Sequence, residues 1–388
     1  MTVTEQQRRL IAAAAAAGQG FALWRAGGAS AFTAIATTGA ARVRPVFGGA
    51  GPGFAICPFV TEDGAQAQVI PADLLADAGG TVFADGQGGT RDAPVTPEQT
   101  RLVDAMAALR EGAPVRIAAT RPAPRATAQA DYEALVARAV AHIQGGACEK
   151  IVLSRAETRD LPADHDLIAM VETAARAHPR AFVALVFTPQ AGCWLIATPE
   201  ILVQQTDDQV VSMALAGTQW PQEGTALADV TWPEKIVVEQ GLVSDYVRDA
   251  FAAAGIAGVA ETPPRSVEAG HLVHLRSDFT APLAGNDATA LNDLLRRLHP
   301  TSAVCGMPKA PAMDFLRFEE GYDRGAYTGY LGPVDVAGET ALYVNLRSAL
   351  VGGNQIHLHV GGGIVAASDP AVEWQETVEK TRTIAVVL

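Results

Sequence analysis

The sequence predicts an α+β fold whose strands run antiparallel. Runs rich in β-branched and apolar residues follow one another directly, as in CWLIATPEILVQQ and QVVSMALAGTQ. No stretch alternates strand and helix in the βαβ manner that a parallel sheet requires. With 388 residues, 49% of them hydrophobic, the chain can bury a large core, in one big domain or two ordinary ones.

The elements follow in order. Arg8 and Arg9 precede Leu10, Ile11 and a run of alanines, a weak likeness to a secretion signal. Alanine is barely apolar and Glu5 stands in the would-be positive region, so an ordinary surface helix ending at Gly18 is expected. From Phe21 to Ile117, short strand-like runs such as FALW and FTAIA are separated by glycine-rich breaks. The cluster Gly48–Gly53 lacks dinucleotide-binding spacing and is interrupted by Pro52, so it reads as a loop. Residues 119–130, rich in Pro, Ala and Arg, read as a linker-like crossing. A helix is expected from about Asp131, with Leu135, Val136, Ala139, Val140 and Ile143 inward and Gly145-Gly146 ending it. EKIVLSRAETRD reads as a strand, 166–178 as a helix, and AFVALVFTP as a strand again. A helix from about Pro233 to Ala254 would start with a Thr231/Glu234 capping box. A further helix at 288–298 leads into a loop containing HPTSAVCGMPKAPA. The β-rich run from Gly325 to Val365 includes a hairpin turning at Gly352-Gly353-Asn354.

Composition excludes several functions. A net charge of −13, few aromatics and no basic stripe argue against nucleic-acid binding. An anionic substrate would therefore need local cations. No stretch is apolar and long enough to span a membrane. Cys57, Cys148, Cys193 and Cys305 lack metal or disulfide spacing and read as reduced core residues of a cytoplasmic protein.

The stretch from His359 to Lys380 carries the densest chemistry. It reads as a strand end, a glycine turn (Gly361, Gly362, Gly363), a short link and a helix capped by Asp369 with Pro370 in its first turn. Trp374, Thr377, Val378 and Thr381 make one stripe of that helix, and Glu373, Glu376 and Lys380 another. Crowded carboxylates need a positive partner. Lys380 could serve as a solvated ion pair, or a divalent cation could bind, and oxygen-only ligands suit magnesium. The glycines would let backbone N–H groups approach an anion beside that cation. Glu239 is a second anomaly: it points into the apolar stripe of Ile236, Val243, Val247, Ala250 and Phe251, where an acid needs a partner.

Taken together, EKIVLSR, ATPEIL, ALAGT, KIVVEQ, HLVHLRS, LHPTSAVCGMPKAPA, YTGYLG, YVNLRSA, GGGIV and EWQETVEK run in order from Glu149 to Thr383. In this the chain resembles the chorismate-utilising enzymes: the isochorismate, salicylate, anthranilate and aminodeoxychorismate synthases. The resemblance implies one chorismate-binding domain over 1–388, with two packed antiparallel β-sheets surrounded by helices. Residues 1–118 would add strands to those sheets, and 131–388 would be the catalytic core.

By motif, the resemblance implies that Glu239 and Glu376 coordinate Mg2+, with Glu373 acting beside them through water. Arg347, Lys380 and backbone amides of Gly361, Gly362 and Gly363 would hold carboxylates of chorismate. Thr218 and His274 would line the site. Lys150 would activate water, and Glu200 would act as general acid, its pKa raised by a closed apolar site. Family members often carry Glu-His where this chain has Glu239-Gln240. The implied activity is that of an isochorismate synthase, with salicylate synthase as the nearest rival and a non-catalytic paralogue as a rival of another class. An amine-transferring role fits less well. Those relatives carry a non-basic residue at the position of Lys150, Ala216 replaces the nucleophilic lysine of a Pro-Ile-Lys-Gly-Thr motif, and no glutaminase segment is present. Siderophore and menaquinone synthesis both start from isochorismate. A monomer is expected.

Overall fold

The computed structural model describes residues 2–49, 51–85, 89–206, 208–219, 225–269, 272–283 and 287–386. His271, in the HLVHLRS stretch, lies outside them. Among the described residues two large sheets form, one of eleven strands and one of ten. Every strand pairing in them is antiparallel, from Phe21–Arg25 against Phe182–Thr188 to Gln355–Ile364 against Lys150–Asp160.

The N-terminal strands join both sheets. Phe21–Arg25, Thr33–Ala36 and Leu74–Asp77 extend the first sheet, while Gly53–Cys57, Gln66–Pro71 and Arg42–Pro45 extend the second. The sheets face each other across an apolar core containing Trp24, Phe182, Trp194 and Ile196 from the first and Phe54, Ile56, Leu331 and Tyr343 from the second. The Phe182 and Tyr343 rings stack across it at 4.0 Å. Such aromatic pairs add to simple burial and hold the layers in one relation.

Helices cover the outer faces. Glu5–Ala16 has a capping box in which Gln7 N–H donates to Thr4 Oγ1. It is less a surface helix than expected: Leu10, Ile11 and Ala12–Ala14 are buried against the first sheet, because small side chains let helix and sheet approach closely. Glu234–Ala253 and Ala288–Leu298 cover the second sheet through Val243, Val247, Phe251, Leu291, Leu294 and Leu295. No helix among the described residues is long and apolar enough to cross a membrane. All four cysteines are buried free thiols.

Three local expectations need correction. The Thr231/Glu234 capping box does not form. The helix starts at Glu234 with Pro233 as its cap and no side-chain cap bond. A Thr231 cap would force Trp232 into helical geometry, which a following proline disfavours. The loop expected after Leu298 contains a short strand, Gly306–Met307, and the helix Lys309–Glu319. Pro311 falls in that helix's first turn, where its missing N–H costs nothing, so it is no helix breaker. Finally, CWLIATPEILVQQ, expected as one strand preceding QVVSMALAGTQ, is two strands in different sheets. Gly192–Thr198 belongs to the first sheet and Ile201–Gln205 to the second. Residues 119–128 form no element, as the linker-like composition predicts.

A buried polar cluster ties the edge of the first sheet to the segment after Lys309–Glu319. Arg324 and Glu320 are each 2% exposed at the side chain and pair at 2.6 Å. Arg324 also donates to Val304 O at 3.0 Å, Val152 O at 2.7 Å and Thr328 Oγ1 at 3.1 Å. Glu320 accepts from the N–H and the hydroxyl of Ser154. Removing one partner of such a pair strands the other charge. Glu320→Ala should destabilise the protein by about 3–5 kcal/mol in urea unfolding. A loss below about 1 kcal/mol would mean that Arg324 finds other compensation.

Candidate active site

The site lies where the chain passes between the sheets. Gly192–Thr198 ends in the first sheet and Ile201–Gln205 begins in the second, with Pro199-Glu200 between them. Thr340–Val344 ends in the second sheet and Ser348–Gly352 begins in the first, with Asn345–Arg347 between them. The two crossings run side by side. Val344 N–H donates to Glu200 O at 3.0 Å, and Ala197 N–H donates to Arg347 O at 3.1 Å. Pro199 has no N–H to offer a ladder, which suits it to such an exit. Arg347 sits at φ 49, the left-handed region that a side chain seldom adopts. Glu200 and Arg347 are thus brought to one cavity of about 340 Å³.

Burial sets their electrostatics. Glu200 is 5% exposed. Desolvation pushes its carboxyl up to about 7, against the downward pull of Lys150 and Arg347. Desolvation also lowers Arg347, to about 10, while Glu200 opposes that shift. His274 lies beside Arg347, whose guanidinium donates to Nε2 at 2.7 Å. An arginine can only donate, so Nε2 must accept. Nδ1 then carries the proton and donates to Gly217 O at 2.7 Å. Burial first, then the Arg347 and Lys380 charges, lower His274 to about 4 and keep it neutral. His274 therefore orients Arg347 and does not compete with it as a cation.

The Gly217 carbonyl is available because Gln209–Gln219 bulges between Ala216 and Gln219. Gly217 has φ +66, and a Cβ there would stand 2.4 Å from Ile236 Cγ2. Only glycine meets both demands. The bulge puts Thr218 on the cavity wall.

The opposite wall carries the triglycine. It is not a turn, as its composition suggested, but the end of the strand Gln355–Ile364, with Gly361, Gly362 and Gly363 paired to Ser154, Leu153 and Val152. The expected amides are still positioned to face the cavity. Val152 N–H donates to Cys305 O and Ser154 N–H to Glu320, both on the far side of Lys150–Asp160. Gly363 and Gly361 therefore occupy non-hydrogen-bonded pairs, and their N–H and C=O groups turn to the open strand edge. Lys380 Nζ donates to Gly361 O there at 3.1 Å. A Cβ on Gly363 would lie 2.8 Å from Lys150 Cε, so the lysine runs across that glycine.

The helix Pro370–Ala385 follows. Asp369 Oδ1 accepts the N–H groups of Ala371 and Val372, which makes it the cap expected. The Thr377/Thr381 stripe faces buried Arg155, which donates to Thr377 Oγ1 at 2.7 Å and lies 4.3 Å over the Trp374 ring. That contact anchors the helix to the strand bearing Lys150. The other stripe faces the cavity. Lys380 pairs with Glu376 at 2.6 Å, and Lys150 pairs with Glu239 from the helix Glu234–Ala253.

Lys150, Glu200, Thr218, Glu239, His274, Arg347, Gly361, Gly362, Gly363, Glu373, Glu376 and Lys380 all line this one cavity. Arg324, Tyr327, Thr328, Ser154 and His359 line it too and were not anticipated. Only the glycine-flanked YTGYLG marked the neighbourhood of Tyr327 and Thr328. Glu373 and Glu376 converge on Gly362, where a Cβ would stand 3.5 Å from Glu373 Oε2 and 3.8 Å from Glu376 Oε1. Among the described residues, no three acidic, histidine or cysteine side chains stand close enough to hold an ion as arranged.

Comparison with known proteins agrees with this geometry. Residues 95–388 match the family of chorismate binding enzymes. A salicylate biosynthesis isochorismate synthase of Pseudomonas aeruginosa is 34% identical over 272 residues, 66% of this chain and 55% of that protein. The isochorismate synthase DhbC of Bacillus subtilis is 34% identical over 266 residues, 66% of each chain. The chain thus spans between 55% and 66% of the length of these curated relatives. The structure of MenF, the menaquinone-specific isochorismate synthase from Escherichia coli, superposes with a TM-score of 0.77 at 21% identity, covering 98% of this chain and 91% of that one. That likeness establishes the fold. On the family match, which takes in the cavity and both crossings, this chain belongs to the chorismate binding enzymes.

Proposed function

We propose that the protein is an isochorismate synthase, converting chorismate to isochorismate by attack of water at C2 and loss of the C4 hydroxyl. The observation that carries this reading is a lysine and a buried, protonatable carboxyl facing one cavity: Lys150 and Glu200. Water is a poor nucleophile and hydroxide a poor leaving group, so the reaction needs a base and an acid together. Lys150 takes the proton from the attacking water. Glu200, held near neutrality by burial, gives its proton to the departing C4 oxygen, which leaves as water while the ring double bonds shift. One water enters and one leaves, with no net redox. Arg347, oriented by His274, and Lys380 hold carboxylates of the substrate, and the outward amides of Gly361 and Gly363 assist.

An all-oxygen donor set suits a magnesium ion, and Gly362 leaves open the space between Glu373 and Glu376, so the residues fit the ion once Glu239 exchanges Lys150 for it. Glu376 and Glu239 would hold it, with Glu373 through water. Bound there, it would supply a positive charge for the ring carboxylate. Ala216, on the cavity wall, offers no nucleophile, which supports water over an enzyme-bound amine route. The names of the two curated relatives support the same activity.

The product decides the reading. With chorismate and magnesium, isochorismate should rise to a plateau without stoichiometric pyruvate, and ammonium salts should yield no anthranilate. Pyruvate and fluorescent salicylate accumulating together at the turnover rate would make it a salicylate synthase instead.

Lys150→Ala and Glu200→Gln should each lose about 10²- to 10⁴-fold in kcat while chorismate still binds. Because Glu200 must be protonated to act, kcat/KM of the wild type should fall as pH rises through about 7. A rate that keeps rising above that pH would remove Glu200 from the acid role.

Glu376→Ala should abolish turnover, and EDTA should silence the wild type until magnesium is restored. Full activity in metal-free protein would exclude the ion.

A further inference from the structure

One residue of the cavity wall has no part in the chemistry above. His359 is 2% exposed, and neither ring nitrogen has a hydrogen-bond partner among the described residues. Its ring sits among aromatics, 5.3 Å from Trp194, 5.1 Å from Tyr327 and 6.1 Å from Tyr322 between centroids. Directly opposite in the strand register stands Ser348, fully buried, whose Oγ also lacks a partner. Cross-strand neighbours have Cβ atoms about 5 Å apart, so one small guest can reach both side chains. Buried polar groups left unpaired are rare in native proteins, and two facing each other beside a cavity imply a ligand group.

The chemistry of the pair limits that group. Burial, with the nearby His357 and Arg324, keeps the imidazole neutral, its pKa lowered to about 3. A neutral imidazole offers one N–H and one lone pair. A serine hydroxyl likewise both gives and accepts. A carboxylate would use only the donors and meet a lone pair, whereas a hydroxyl satisfies both functions. The carboxylates of a substrate have cations elsewhere in the cavity, at Arg347 and Lys380. We propose that His359, with Ser348 opposite it, is a subsite that binds a neutral hydroxyl of the ring substrate and makes the cavity select hydroxylated rings. This rests on the substrate class proposed above.

The test compares two inhibitors that share a ring carboxylate and an enolpyruvyl ether and differ only in one ring hydroxyl. Their dissociation constants are measured by calorimetry, with magnesium, on wild type, His359→Phe and His359→Gln. Phe keeps the aromatic packing, Gln keeps a donor and an acceptor, and thermal melting checks that both variants fold. Wild type should favour the hydroxylated compound by about ten-fold or more. His359→Phe should bring the two constants to within about two-fold, and His359→Gln should retain most of the preference. An unchanged preference in His359→Phe would overturn the subsite, and so would no preference in wild type. A trapped water at His359 would give one of those two results. If neither compound binds wild type, the proposed substrate class fails and the subsite falls with it.

Discussion

Two chain crossings, hydrogen-bonded to each other between the sheets, are the constraint from which the site follows. Backbone that leaves one sheet for another must still satisfy its N–H and C=O groups, and here each crossing satisfies the other through Val344 to Glu200 and Ala197 to Arg347. The acid and the guanidinium are therefore fixed by main-chain bonds in the middle of the protein. A site built on such a frame needs little side-chain rearrangement to reach a working geometry. The bulge at Gly217 and the open strand edge at Gly361–Gly363 complete the cavity from either sheet.

Charge is graded across that cavity by exposure. Glu200, Arg347 and His274 are the buried members, and each is shifted toward its neutral form by desolvation first. The carboxylates nearer solvent keep lysine partners: Glu239 with Lys150, at 28% and 15% side-chain exposure, and Glu376 with Lys380, at 37% and 27%. Those pairs are wet enough to exchange partners cheaply, unlike the fully buried Arg324–Glu320 pair that braces the cavity floor. The same chemistry, acid beside base, is thus structural where it is dry and adjustable where it is not.

Much of this was legible from residues alone. The helix Gln129–Gln144 announced itself by its stripe and its Gly-Gly stop, the hairpin at 353–354 by its turn residues, and Asp369 by its place before a proline. The local misreadings share a cause. A triglycine reads as a turn because glycine tolerates one, yet here its lack of side chains serves close approach within a strand, with Lys150 lying over Gly363. CWLIATPEILVQQ reads as one strand because periodicity reports which face is buried, not which sheet a strand enters.

Sequence by itself determined most element types, the antiparallel character of the strands and, through the ordered motifs, twelve of the residues that line the cavity. These depend on local propensity, turn chemistry and residue identity, all of which are written along the chain. Tertiary structure decided the rest: that Pro199 marks a crossing between sheets, that His274 holds Arg347, that Glu239 answers Lys150, and that His359 lies buried with both nitrogens unpaired among the described residues. His274 and Arg347 are 73 positions apart, and Lys150 and Glu239 are 89. Those relations follow from which strands share a sheet and how deeply each side chain is desolvated, and neither quantity exists until the sheets have packed.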